Sequence, residues 1–250
     1  MRLHSLILLS FLSSTTSLFA QKIHAHNDYT QSRPFLNAYE QRADYIEADV
    51  WVQDGKLVVS HDKPASNAPT LDSLYLKPIA ALFAKNDGRV STDRTYTFGL
   101  MIDVKDDPTV VLPKLIELLQ ASLISFNRNA NATAVQVIIS GNRPRPEKFF
   151  DYPLLQFDGR PSEVYDQETL QKVAMISDNF QSYTRWNGTG ELSGEDRDKL
   201  KRVIKRAHSD GKLVRFWAIP DQPDAWKVLR KIGVDIINTD RVADAAKALR

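Results

Sequence analysis

The sequence predicts an α/β protein, a single-domain (β/α)8 TIM barrel over residues 21–250. Three observations predict it. Apolar runs of strand length alternate with segments of helical period from residue 22 to the C-terminus. The alternation occupies a length normal for such a barrel, about 250 residues with wide scatter. No glycine-rich phosphate loop follows the first strand, so the rival doubly wound open sheet lacks its main support.

Composition narrows the function classes. The chain has 250 residues, 42% of them hydrophobic, too apolar for disorder. The absence of cysteine removes disulfides, thiolate nucleophiles and cysteine-bound zinc together. Thirty-three basic against 31 acidic residues is too even a balance for a nucleic-acid binder. Residues 1–20 read as a cleaved signal peptide: Arg2, the apolar run from Leu6 to Leu12, then small residues up to Ala20. That run is far short of the roughly 20 residues a membrane span needs. The expectation is therefore a secreted or periplasmic protein without a stable membrane anchor, acting as a monomer.

The elements follow in order. Strand-length runs lie at 22–26, 45–52, 57–61, 98–104, 135–140, 175–177, 213–219 and 234–238. Between them, Leu112, Leu115, Ile116 and Leu119 share one helical face, as do Leu200, Val203, Ile204 and Ala207. The second of these helices opens at Ser193, with Glu195 and Asp196 in its first turn, and stops at Gly211. A further helix runs from Pro223 to Gly233.

Buried parallel strands are apolar throughout, so ionisable residues at their ends need a reason. His24 and His26 lie two apart and share a face of the first strand. Glu47 and Asp49 repeat that spacing on the second. The third run leads into His61; the fourth carries Asp103, with Lys105 on the same face. Barrel active sites lie at the carboxyl ends of the strands. Carboxylates facing one another repel unless a cation or a shared proton relieves them. Glu47, Asp49 and Asp103 therefore read as an oxygen-rich site for one divalent cation, Ca2+ or Mg2+. His26 and His61 remain as the groups that move protons near neutral pH. Taken singly, a Glu-x-Asp is an ordinary solvated strand end. His208 falls on a lysine-rich helix, and the tryptophans suit core or rim, with Trp217 kept as a substrate contact because it lies near a strand end.

Together these residues carry a family likeness. His26-Asn27-Asp28-Tyr29 resembles the SHNTY segment of phosphoinositide-specific phospholipases C. Residues 43–50, Ala-Asp-Tyr-Ile-Glu-Ala-Asp-Val, resemble the GADxIExDV segment of glycerophosphodiester phosphodiesterases. His61-Asp62 resembles the VVxHD block of the same family, and residues 233–240 its GVDxIxTD. The chain thus resembles the TIM-barrel phosphodiesterases, which include spider-venom-type sphingomyelinases D, although the HRG and PENT signatures are missing. The resemblance implies His26 and His61 as the catalytic pair. It implies Glu47, Asp49 and Asp103 as metal ligands, Asn27 as a further ligand and Lys105 as a phosphate contact. A competing H-x-x-N register selects His24 with Asn27; the ungapped SHNTY match favours His26.

The implied reaction is metal-assisted cleavage of a phosphodiester, with one histidine as base and the other as acid. His26 as base and His61 as acid is the first assignment. The substrate class is a glycerophosphodiester, lysophospholipid or phosphoinositide headgroup. The loop at 62–70 is small and polar, without the apolar ridge of a membrane-inserting enzyme, which favours a water-soluble diester. Positive charge must be local: Lys105 at the floor, Arg143 at the rim. Two other classes compete. His24-Ala25-His26 is also the HxH pair of metal-dependent hydrolase barrels, though too few histidines follow to complete a binuclear centre. A secreted binding protein that kept the barrel and lost turnover is the second, set against the retention of every charged position.

Overall fold

The structure is a computed structural model, and it describes residues 21–250. The expected signal peptide, residues 1–20, lies outside the described residues. Among the described residues nine strands form: β1 (Lys22–Ala25), β2 (Tyr45–Gln53), β3 (Lys56–Val59), β4 (Gly99–Val104), β5 (Gln136–Gly141), β6 (Leu155–Gly159), β7 (Val173–Asn179), β8 (Val214–Trp217) and β9 (Ile236–Thr239). All but β3 pair in parallel, in the order β1-β9-β8-β7-β6-β5-β4-β2, and the β1–β2 pairing closes the ring. The result is the eight-stranded barrel that the alternation predicts.

The helices are α1 (Leu36–Glu40), α2 (Lys77–Lys85), α3 (Pro108–Gln120), α4 (Leu123–Phe126), α5 (Gln167–Leu170), α6 (Gly194–Ser209), α7 (Pro223–Ile232) and α8 (Val242–Leu249). Their limits follow from capping chemistry. The Asp107 side chain accepts from the Thr109 N–H at the start of α3, and Ser193 accepts from the Asp196 N–H at the start of α6. Gly233, at φ 103°, ends α7 in the left-handed conformation that a side chain would strain. The predicted faces are the buried ones: Leu112, Leu115 and Leu119 on α3, Leu200, Ile204 and Ala207 on α6.

Two strand expectations change. The run at 57–61 is not a barrel stave. As β3 it folds back antiparallel on β2, pairing Val50 with Val59 across a tight Asp54-Gly55 turn in which both residues have positive φ. The missing stave is β6, with only Leu155 and Phe157 as its apolar pair. Between Pro153 and Gly159 the apolar residues Leu154, Leu155 and Phe157 are too few and too irregular to stand out from a loop, and only ring closure demands a strand there.

The barrel interior is layered. Met101, Ile138, Met175 and Ile236, from β4, β5, β7 and β9, are fully buried and pack together as an apolar plug, with Tyr45 against it. Side chains alternate along a strand, so the next inward residues lie two positions on. Those are Asp103, Ser140, Ser177, Asn238 and Glu47, every one polar. The change from oil to polar groups within one step of each strand places the site at the carboxyl end of the barrel.

Candidate active site

Glu47 and Asp49 come from β2 and Asp103 from β4, with Asp49 and Asp103 directly opposite in the ladder. One oxygen from each of the three carboxylates lies within 4.8 Å of the others. Glu47 and Asp49 are buried. Burial first, then the charge of Glu47, pushes the pKa values of Asp49 and Asp103 up, against the pull of Lys105. The Lys105 ammonium bridges them, 3.0 Å from Asp49 Oδ2 and 2.9 Å from Asp103 Oδ2. Asp103 Oδ1 is buried without a hydrogen-bond partner. Gly141, at φ +67°, lets the backbone approach it, because a Cβ there would stand 1.9 Å from that oxygen. Crowded, partly unsatisfied carboxylates are a donor set that fits a hard divalent cation.

His24 is fully buried beneath the cluster. Its Nε2 lies 2.5 Å from Glu47 Oε2 and 2.8 Å from Arg215 Nη1. One ring nitrogen cannot donate to the first and accept from the second at once. The shorter contact, to the carboxylate, identifies Nε2–H as a donor, while Arg215 reaches Glu47 itself at 3.0 Å. Burial and the Arg215 cation lower the His24 pKa to about 4, so the ring is neutral. Burial opposes ionisation of Glu47, but His24 and Arg215 overcome it and hold the carboxylate well below its usual range. His24 therefore supports Glu47 from below and does not pair with His26.

His26 lies just past β1, its backbone N–H bonded to Thr239 O. Its Nδ1 donates to Asp240 Oδ1 at 2.7 Å, which leaves Nε2 as the free nitrogen. Burial lowers its pKa, but the Asp240 bond and the charge of Glu47 prevail and raise it. His61 sits in the loop after β3, its side chain 63% exposed, with Nδ1 3.3 Å from Asp49 Oδ2. Tyr29 links several of these groups. Its hydroxyl donates to Asn27 Oδ1 at 2.8 Å and lies 3.3 Å from His61 Nδ1. Asn27 itself holds a left-handed backbone, φ 48°, beside His26.

A cavity of about 420 Å3 opens over the cluster, lined among others by His26, Glu47, Asp103, Lys105, Arg160 and Trp217. Arg143 is not among its lining residues: its guanidinium pairs with Glu163 at 2.5 Å, with 7% of the side chain exposed. Sequence reasoning missed Arg215, Asp158, Arg160 and the role of Asp240. Arg215 had a signal, since a charge inside the run Val214-Arg215-Phe216-Trp217 must find buried partners. Asp158 and Arg160 were hidden with β6.

Comparison with known proteins fits this geometry. The profile of the AIM6-like phosphodiesterase domain matches residues 13–146, more than half of the chain. The chain belongs to the AIM6-like phosphodiesterase domain family. It is similar to the altered inheritance of mitochondria protein 6 homolog of Arthroderma benhamiae, with 26% identity over 90% of this chain and 82% of that protein. The Eremothecium gossypii protein named altered inheritance of mitochondria protein 6 is 24% identical over 90% of this chain and 69% of its own length. Among solved structures, a glycerophosphodiester phosphodiesterase from Parabacteroides distasonis shares the fold at TM-score 0.58 and 14% identity, covering 92% of this chain and 96% of that one. An Oleispira antarctica phosphodiesterase, solved with its product sn-glycerol-3-phosphate, does so at TM-score 0.55 and 14% identity, with the same coverage.

The relatives correct one expectation. A secreted or periplasmic location does not stand, because family members along most of the chain carry a mitochondrial-inheritance name rather than that of an exported protein. The physical reason is that one basic residue before a short apolar run is a local composition, and composition alone does not set a protein's destination.

Proposed function

We propose that this AIM6-like domain is a metal-dependent phosphodiesterase that cleaves a water-soluble phosphodiester by two-histidine acid/base catalysis. The observation that carries the reading is the convergence of Glu47, Asp49 and Asp103 at the carboxyl end of the barrel, with a buried, unpaired oxygen on Asp103. These three residues would hold one Ca2+ or Mg2+, which supplies polarisation of the phosphoryl oxygen and neutralises charge as it grows.

The chain's own residues do the rest. Asp240 fixes the His26 tautomer with Nδ1–H toward its carboxylate, so Nε2 is free to take a proton from the attacking hydroxyl. The imidazolium that forms is stabilised by the same carboxylate. His61, exposed at the mouth and held near Asp49, protonates the leaving alcohol. Lys105 orders Asp49 and Asp103 and offers a positive charge to the phosphate. The competing HxH hydrolase is disfavoured because the cluster of possible metal ligands among the described residues, Glu47, Asp49 and Asp103, contains no histidine. Among the described residues no helix is long and apolar enough to cross a membrane.

The test is a turnover screen of purified protein with Ca2+ or Mg2+, comparing glycerophosphodiesters, lysophospholipids and phosphatidylinositol vesicles. Cation-dependent cleavage of soluble diesters is expected. Equal turnover in excess chelator would reject the metal, and preference for intact vesicles would reject the substrate class.

A further inference from the structure

We propose that Arg160 is a phosphate-binding residue, gripping the substrate's phosphoryl group from the wall beside the carboxylate cluster. The inference rests on the phosphodiesterase reading and deepens it. Arg160 follows β6, and three contacts hold its guanidinium still. Nη1 donates to the fully buried Asp158 carboxylate at 2.8 Å, Nη2 lies 3.3 Å from Ser140 Oγ, and the plane sits over the Trp217 ring, 5.1 Å from its centroid. An arginine fixed on a carboxylate and an indole has given up most of its rotamer freedom before any ligand arrives.

Register places it at the right separation. Ser140 on β5 stands directly opposite Asp103 on β4. Neighbouring strands are about 4.8 Å apart, and Arg160 reaches that same Ser140, so its head group lies one strand beyond the acidic cluster. Both groups line the same cavity. That gap suits one tetrahedral anion held between a cation on the carboxylates and a guanidinium.

Charge points the same way. Asp158 serves two arginines, since Arg215 Nη2 also reaches its Oδ2 at 3.2 Å. Arg215 has Glu47 as a second partner; Arg160 has no second carboxylate among the described residues. Within the ion-pair network at the cavity floor, apart from the His26–Asp240 pair, Glu47, Asp49, Asp103 and Asp158 exceed Lys105, Arg160 and Arg215 by one negative charge. A bound divalent cation reverses this to one positive charge, which a phosphodiester monoanion neutralises and a phosphomonoester dianion overshoots. The floor network therefore favours a phosphate held as a monoanionic diester.

The experiment uses the full chain with inorganic phosphate as probe, titrated by calorimetry in the presence of Mg2+ or Ca2+. Cation affinity is measured separately in the absence of phosphate. Arg160→Gln is expected to weaken phosphate by about tenfold or more, the scale of a lost charge-assisted hydrogen bond, and to leave cation affinity unchanged. Arg160→Lys should recover part of the loss. Arg143→Gln, which removes the guanidinium already paired with Glu163, should leave phosphate affinity within about twofold. Kinetics with a soluble diester should show Arg160→Gln raising KM and lowering kcat, with diesters preferred over the matching monoesters in the parent protein. Equal phosphate affinity in parent and Arg160→Gln would overturn the proposal, as would a loss fully explained by weakened cation binding. Failure of the underlying reading looks different: the parent protein would then turn over no diester with any cation.

Discussion

His26 and His61, the proposed acid–base pair, sit in different settings, one braced by the Asp240 carboxylate and one largely exposed beside Asp49. Replacing either with alanine should cost at least about a hundredfold in kcat/KM, the lower end for a lost general acid or base. The raised pKa of His26 puts the acid limb of the pH profile above 6.5, because a base works only when neutral. Asp240→Asn removes the carboxylate charge that helps raise it, so that limb should move to lower pH while kcat falls. His24 predicts stability instead of rate. Below about pH 6.5 the unfolded imidazole binds a proton that the folded one, with its pKa at about 4, refuses. Stability should therefore fall as pH drops from 6.5 to 4 and lose this dependence below that. Urea unfolding across the window should show a shallower fall in His24→Gln; an unchanged slope would contradict the buried neutral ring.

At the scale of elements, two glycines separate fold from site. Gly55, at φ +74° in the β2–β3 turn, has open space around its Cβ position, so Gly55→Ala meets only backbone strain, about 1 kcal/mol. Gly141, at φ +67° after β5, would drive a Cβ into Asp103 Oδ1 and Val104 O. Gly141→Ala should cost about 2 kcal/mol or more and also weaken cation binding, while Gly55→Ala leaves cation affinity as it was. Chemical denaturation and cation titration of the two variants check this. The hairpin has its own consequence: by folding β3 back on β2, it carries His61 up to Asp49 on a loop instead of a stave.

For the whole molecule, the proposed cation site joins three carboxylates, Glu47, Asp49 and Asp103, that only the folded chain brings together, so a cation bound there would stabilise the folded state. At a cation concentration of about a hundred times Kd, folding should gain about 2.7 kcal/mol, and the thermal midpoint should rise accordingly. Glu47→Gln with Asp49→Asn should abolish both the midpoint shift and turnover while the barrel persists. A midpoint that ignores Ca2+ and Mg2+ in the parent protein would remove the cation from the mechanism.

The sequence by itself determined the barrel, the helix faces and the acidic and histidine residues at strand ends. Those follow from local rules: apolar periodicity sets the elements, and two-residue spacing sets which side chains share a face. It could not supply the partners, because those come from strands far apart in the chain. Arg215 on β8 bonds to Glu47 on β2 and to Asp158 on β6; Asp240 after β9 bonds to His26 after β1. His24 and His26 look alike at a spacing of two, yet the tertiary structure buries one as a support for Glu47 and leaves the other free at Nε2. Ring closure alone reveals β6, and with it Arg160. A charge's role depends on what the barrel brings across from it, and that is decided only when the first and last strands meet.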